Sequence, residues 1–398
     1  MHSNRVIVLG FFLVYILLLG YLRSACWRDP TSFFHRAHSA HTPAYSTYRI
    51  QQAVDYAESV GHDLVNGELR RQKLRANPPE LCIGIPTIQR QGISYLKSTL
   101  GSLQHGLTPR ERDALYFVVF IAHINQSNHD EYNQPWLVTM ADELPSYDNL
   151  ALSQTMSNQS HEIKSKYDYS IVLEVCANTG APYVLMLEDD VLFLDGWWPR
   201  VARALDLAAI KTWEAGYIDW ASGWNRESWP LYLSSSLAVT ATILSVLLIT
   251  RRYMVTPRRY ITRFVLAFVT LVATPLLIIL YFASGGNCVA PQPAGVNLMP
   301  NHACCGQGLV FPRRKVVNEL LPLFRSNRWS GVPTDSFIEV HADVTQGLRW
   351  ALTPVVMQHI GGQSSHGVID TGDLVTPKDI WNFGFEGNNP SFLANKYS

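Results

Sequence analysis

Apolar residues in this chain occur in three patterns: long unbroken runs, short runs of strand length, and stripes of helical period. The long runs are 6–22, 231–249 and 264–282. Roughly 20 apolar residues carry a helix across the hydrocarbon core of a bilayer, so each run predicts a membrane span. The first is read as a retained anchor rather than a cleaved signal, because no small-x-small site follows it. The short runs 81–86, 115–121 and 183–187 predict buried strands. Helical stripes cover 47–75, 93–103 and 162–178, the first ended by Asn77-Pro-Pro79. In the last, Ile163, Tyr167, Ile171, Leu173 and Val175 form the expected buried side. Strand character resumes at 306–311. Strands alternating with helices predict an α/β fold with a Rossmann-like sheet of parallel strands.

The expected organisation follows from this pattern. Residues 1–23 are a cytoplasmic tip and anchor, and 24–80 a partly helical stem. Residues 81–230 and 283–398 are two parts of one α/β domain, interrupted by a transmembrane hairpin over 231–282. Charge sets the orientation. The hairpin loop 250–263 carries five arginines and no acid, so the positive-inside rule makes it cytoplasmic. Both parts of the domain then share the lumenal face. Arg5 against Arg23, Arg28 and Arg36 opposes this weakly. The sequons Asn125-Gln-Ser127 and Asn158-Gln-Ser160 fall in the lumenal stretch.

Composition adds exclusions. Lys plus Arg, 32, equals Asp plus Glu, 32, so no basic field argues for nucleic acid. Only 16% of residues are charged and 47% are hydrophobic, in keeping with a membrane-attached protein. Six cysteines show no C-x-x-C pair, which sets zinc-finger spacing aside and leaves disulfides open. Among these, Cys304-Cys305 allows a vicinal bridge or a local one with Cys288.

The candidate chemistry lies in Tyr183-Val-Leu-Met-Leu-Glu-Asp-Asp190, an apolar strand running into three consecutive acids. Carboxylates at the end of a core strand are costly unless a cation compensates them. Such an oxygen-rich site suits Mg²⁺ or Mn²⁺ shared with the oxygens of a diphosphate. In parallel sheets ligands bind beyond the carboxyl ends of the strands, where Glu188, Asp189 and Asp190 fall. The competing reading is an exposed acidic turn, although Asp195-Gly196 is the better turn. Gly306-Gln307-Gly308 offers small residues whose backbone admits a close ligand, or a plain turn.

An anchor, a stem, an α/β domain and a strand ending in a D-x-D-like triplet resemble a GT-A glycosyltransferase. Tyr183–Asp190 and Val356-Met-Gln-His-Ile-Gly361 are similar to the branching N-acetylglucosaminyltransferase IV group, which lacks an internal membrane hairpin. The chain from residue 5 to about residue 370 resembles the post-GPI attachment to proteins factor 4 family, whose GT-A domain is split by two membrane helices. That resemblance implies a multi-pass Golgi enzyme with a mixed sheet. It implies Mn²⁺ (or Mg²⁺), a UDP-sugar donor, and N-acetylgalactosamine transfer with inversion to the mannose core of glycosylphosphatidylinositol anchors. It gives Asp190 and His359 to the metal, Glu188 to the uridine or ribose side, and Asp189 a place between them. Thr87 and Arg90, after the first strand, are implied on the uridine, and Gly306, Gln307 and Gly308 near the sugar. Asp335 is implied as the base, with Glu339 in reserve; helix capping by Thr334 or Asp335 is the rival. An N-glycan-branching transferase and a non-catalytic glycan-binding receptor are the alternative functions.

Overall fold

Odd and even positions of β1 (Leu81–Thr87) serve two different cores. Leu81, Ile83 and Ile85 pack with Leu115, Phe117 and Val119 of β2 (Leu115–Ile121), whereas Cys82 joins Val118 and Phe120 on the opposite face. A sheet buried on both faces needs near-continuous apolar strands, and this chain supplies them. The computed structural model describes residues 2–40, 42–65, 77–90, 92–147, 154–155, 158–215, 229–254, 260–289, 291–299, 307–326, 331–361 and 382–397. These form two units: Met1–Thr42 with Trp213–Gln292, and Pro43–Thr212 with Pro293–Ser398.

In the second unit the sheet runs β2-β1-β3-β6, with β3 at Tyr183–Leu187 and β6 at Gly308–Pro312. β1 lies parallel to β2 and β3, but β6 is antiparallel to β3. The sheet is therefore mixed rather than wholly parallel; the apolar run of β6 marks a strand but carries no direction. Two antiparallel pairs complete the strands. β4 (Val191–Phe193) pairs with β8 (Met357–His359), and β5 (Gly295–Leu298) with β7 (Trp350–Thr353).

Helix α1 (Tyr45–Val65) was expected inside a stem, yet it belongs to the α/β unit. Tyr45, Arg49, Ala53 and Ala57 recur every four residues and are all buried. The Arg49 guanidinium donates to Phe193 O at 2.8 Å, Ser102 O at 2.8 Å and Asp195 at 2.5 Å. Tyr45 also bonds Asp195, at 3.0 Å. A polar residue at the centre of a buried stripe disguises the stripe in the sequence.

Helices α2 (Leu96–Gln104) and α3 (Pro135–Met140) lie on the same core as α1, and α4 (His161–Asn178) lies on the other face. Of the stripe expected along α4, Leu173 is fully buried, and Tyr167, Ile171 and Val175 pack against the same core. Lys166, Asp168, Ser170, Val172, Cys176 and Ala177 are buried as well, so the buried surface is wider and more polar than the stripe. Asp168 is buried against the Tyr147 hydroxyl at 2.6 Å and ion-pairs with Lys164. Cys176 is bonded to Cys82 of β1 across a Cα separation of 5.4 Å. Gly84 makes this approach fit, because a methyl group there would overlap Val172 Cγ1 and come 3.0 Å from Met186 Sδ. Gly84→Ala is expected to cost about 1–3 kcal/mol through overpacking. A melting temperature equal to wild type would mean that the sheet–helix contact is looser than this.

Among the described residues of the first unit, three helices are long and apolar enough to cross a membrane: Asn4–Ala25, Leu233–Tyr253 and Arg263–Ser284, of 22, 21 and 22 residues. They coincide with the three long apolar runs. Phe11 meets Phe268 edge to face at 5.5 Å between the first and third. Residues 255–259 of the arginine-rich loop, and Cys304, Cys305 and Gly306, lie outside the described residues.

Candidate metal centre

β1 is the middle of the three parallel strands: the chain passes from it to β2 on one side and then to β3 on the other. Such a reversal opens a crevice at the carboxyl ends of β1 and β3. Thr87 and Arg90 leave β1 there, and Glu188, Asp189 and Asp190 leave β3. Asp189 and Asp190 make the turn from β3 into β4, and this turn separates the side chains. Glu188 and Asp190 share one side, and Asp189 takes the other.

On the first side Glu188, Asp190 and His359 each offer a ligand atom, all within 4.8 Å of one another. His359 Nε2 is 3.3 Å from Asp190 Oδ2 and 3.9 Å from Glu188 Oε2. The pairing of β4 with β8 brings the histidine in: Val191 is opposite His359, and Ile360 N–H donates to Asp190 O at 2.9 Å. Gly361 closes the back of the site, since a methyl group there would overlap the Asp190 carboxylate. The sequence singled out His359 but gave no signal for this second role of the adjoining glycine.

On the other side Asp189 is held by protein groups. Thr87 Oγ1 donates to its Oδ2 at 2.5 Å, and Arg90 Nη1 lies 2.7 Å from its Oδ1. Arg90 Nη2 reaches Asp190 Oδ2 at 3.2 Å, and its guanidinium covers the Tyr95 ring at 5.4 Å. Thr87 is buried, so its hydroxyl serves Asp189 rather than facing an open ligand site. Arg90 thus pairs with both Asp189 and Asp190, so one guanidinium faces three acids.

The electrostatics agree. Burial pushes the Glu188 carboxyl up to about 7, helped by the Asp190, Asp189 and Asp335 charges and opposed by His359. Burial also raises Asp189 against the pull of Arg90. For His359 burial favours the neutral ring, but the hydrogen bond and charge of Asp190 outweigh it and raise its pKa. Asp190 Oδ1 is buried and has no hydrogen-bond partner among the described residues. An unsatisfied buried carboxylate oxygen is costly, and a cation bound there would satisfy it. Two carboxylates suit Mg²⁺ or Mn²⁺, and the imidazole favours a transition ion over Mg²⁺.

Further residues frame the crevice. Gln307 O accepts the Glu188 N–H at 3.1 Å, and Gly308 pairs with Leu187, so both sit beside the acids. Asp335 lies exposed in the first turn of α5 (Thr334–Val344). Its Oδ1 accepts from Ser336 N–H at 2.7 Å. Neither Thr334 nor Asp335 is the cap; Pro333 takes that position without a side-chain bond. Glu339 is paired with Arg349 at 3.2 Å.

A buried histidine that the sequence did not flag supports the acids from behind. His129 Nδ1 accepts from Glu131 N–H at 3.2 Å, which puts its proton on Nε2, 3.2 Å from Thr87 Oγ1. The order is then His129 to Thr87 to Asp189. Burial, with His123 and Arg90 nearby, pushes His129 down to about 4. A depressed histidine contributes stability above its unfolded value near 6.5, and that contribution is lost as pH falls towards 4. His129→Gln is expected to lose less thermal stability than wild type between pH 7 and 4. Parallel melting curves across that window would count against the buried neutral ring.

Comparison with known proteins gives one partial likeness. No family model matches the chain. An alignment 147 positions long, covering 32% of this chain, is 27% identical to alpha-1,3-mannosyl-glycoprotein 4-beta-N-acetylglucosaminyltransferase A of Gallus gallus. The likeness spans 27% of that protein's length, so what this chain shares is a segment of a glycosyltransferase.

Proposed function

We propose that the protein is a Golgi-type, metal-assisted glycosyltransferase of GT-A fold that takes its sugar from a UDP-sugar. The observation that carries this reading is the convergence of Glu188, Asp190 and His359 at the carboxyl edge of β3, with Asp190 Oδ1 buried and without a partner among the described residues. Partial identity to a sugar transferase supports the reaction class. The resemblance to the glycosylphosphatidylinositol-modifying family adds the donor, UDP-N-acetylgalactosamine, and the acceptor, the mannose core of the anchor glycan.

In this reading Asp190, His359 and Glu188 hold a divalent cation, with Mn²⁺ the best fit. When bound, the cation neutralises the diphosphate and stabilises UDP as a leaving group. Arg90 fixes the paired acids and carries positive charge at the crevice. The Gln307–Gly308 backbone borders the sugar. Asp335 Oδ2 has no hydrogen bond among the described residues, and Asp335 is near enough for its charge to act on Glu188. Asp335 accepts the proton of the acceptor hydroxyl as its oxygen attacks the anomeric carbon from the face opposite UDP. The sugar–phosphate bond breaks and the configuration inverts.

A second reading, transfer of N-acetylglucosamine to a protein N-glycan, draws on the name of the relative above. Three apolar helices, two of them inserted between the parts of the α/β unit, favour a membrane-held acceptor instead. Mass spectrometry of anchor glycans from cells with and without the chain separates the two. Loss of an N-acetylhexosamine side branch is expected; an unchanged anchor profile with altered N-glycan branching would favour the second reading.

A further inference from the structure

The chain just after the first apolar helix is laced to the chain just after the third. Phe33 N–H and Ser32 Oγ both donate to Ala283 O, at 2.8 Å and 3.1 Å. Gly286 N–H donates to Thr31 Oγ1 at 3.0 Å. Asp29, fully buried, sits at the centre. Its carboxylate accepts from Thr31 N at 2.9 Å, Asn287 Nδ2 at 3.1 Å and Cys288 N at 3.2 Å. Asp29 N–H in turn donates to Cys26 O at 3.1 Å. One buried acid therefore fixes the backbones of both Cys26 and Cys288. Cys26 is buried, Cys288 is partly exposed, neither is bridged among the described residues, and Cys26 lies near enough to act on the Cys288 thiol.

Two alternatives are weaker on geometry. A metal site is disfavoured because Asp29 spends its oxygens on N–H and O–H donors. Among the described residues, moreover, the only group of three or more His, Cys, Asp or Glu ligands is that of Glu188, Asp190 and His359. A bridge from Cys288 to Cys304 or Cys305, the local pairing read from the sequence, would take its sulfur away from Cys26.

We propose that Cys26 and Cys288 form a disulfide that clasps the first apolar helix to the third. The two thiols lose two protons and two electrons and one S–S bond forms. The electrons go to the disulfide of a thiol–disulfide oxidoreductase, which becomes a dithiol, by way of a mixed disulfide. The two ends lie side by side and so share one face of the membrane. In the proposed topology that face is the oxidising one. Burial, then Cys26 and Asp29, push the Cys288 thiol up to about 12. The folded Cys288 thiol is thus a poor nucleophile, and the bond is made before the Asp29 cluster closes.

The test uses full-length protein from membranes, alkylated without reduction, digested and analysed by mass spectrometry. A peptide linking Cys26 to Cys288 is expected. Separate alkylated peptides, or Cys288 linked to Cys304 or Cys305, would overturn the proposal. A second arm places a protease site within 255–259 and cuts the folded chain. Because Cys82 and Cys176 both precede the cut, the two fragments should stay joined on a non-reducing gel and part after reduction. They should part without reductant in Cys26→Ser. Fragments of the uncut-cysteine protein that part without reductant would also overturn it. Neither readout depends on sugar transfer, so failure here leaves the proposed activity standing, and the reverse.

Discussion

Asp190→Asn is expected to lower sugar transfer by about 10³-fold, on the order of 4 kcal/mol of transition-state stabilisation. The same change should leave the fold intact. Asp190 shares a small volume with Glu188 and stands beside Asp189, and its Oδ1 has no partner among the described residues. Removing its charge relieves repulsion and lets the Glu188 carboxyl fall back towards its ordinary value. The melting temperature should therefore hold or rise, the usual sign of a group kept for function at the expense of stability. Parallel assays of UDP release and thermal unfolding check both halves. A variant that melts early and loses activity in proportion would make Asp190 a structural acid. An active variant would remove it from the metal.

The largest loss of stability should come from Arg49→Met. Arg49 is fully buried and bonds Asp195, Phe193 O, Ser102 O, Gln52 and His105. Burial disfavours its charge, and Asp195 restores it. Taking away the guanidinium leaves the buried Asp195 with Tyr45 and His105 but without its permanent cation, together with the carbonyls of Phe193 and Ser102 that Arg49 had bonded. Such losses cost about 3–5 kcal/mol, roughly 10 °C in melting temperature for a unit of this size. The double variant Arg49→Met with Asp195→Leu should recover a large part of the loss, because both members of the pair are then gone. Equal instability of the single and double variants would place the effect in packing rather than charge. Chemical denaturation of the three proteins separates these outcomes.

Arg49 also shows where sequence reasoning ran short. The strands 81–86, 115–121 and 183–187 were legible because they are buried on both faces and so are apolar without interruption. The three long helices were legible for the same reason. Helix α1 was visible as a helix, but its place was not: its buried stripe is Tyr, Arg, Ala, Ala, and only the fold reveals that Arg49 has partners inside. In α4 the apolar stripe found Leu173, Tyr167, Ile171 and Val175 on the core, but not the buried Lys166, Asp168 and Ser170, whose polar side chains gave no apolar signal.

The candidate site divides in the same way. Glu188 and Asp190 were legible because three acids follow an apolar strand, and their geometry with His359 is what the structure adds. The different duty of Asp189 was not legible, since it depends on Thr87 and Arg90 arriving from another strand. His129 and Gly361 left no local signal: one acts through Thr87, and the other acts by having no side chain.

The most direct test of the central claim is transfer by purified full-length protein in detergent. UDP-N-acetylgalactosamine and a mannose-bearing glycosylphosphatidylinositol glycan are supplied after chelation, and Mn²⁺ is then titrated back. The account predicts no transfer after chelation, restoration by Mn²⁺, and no restoration in Asp190→Asn. Folded wild-type protein that releases no UDP from any UDP-sugar at any Mn²⁺ concentration would contradict it.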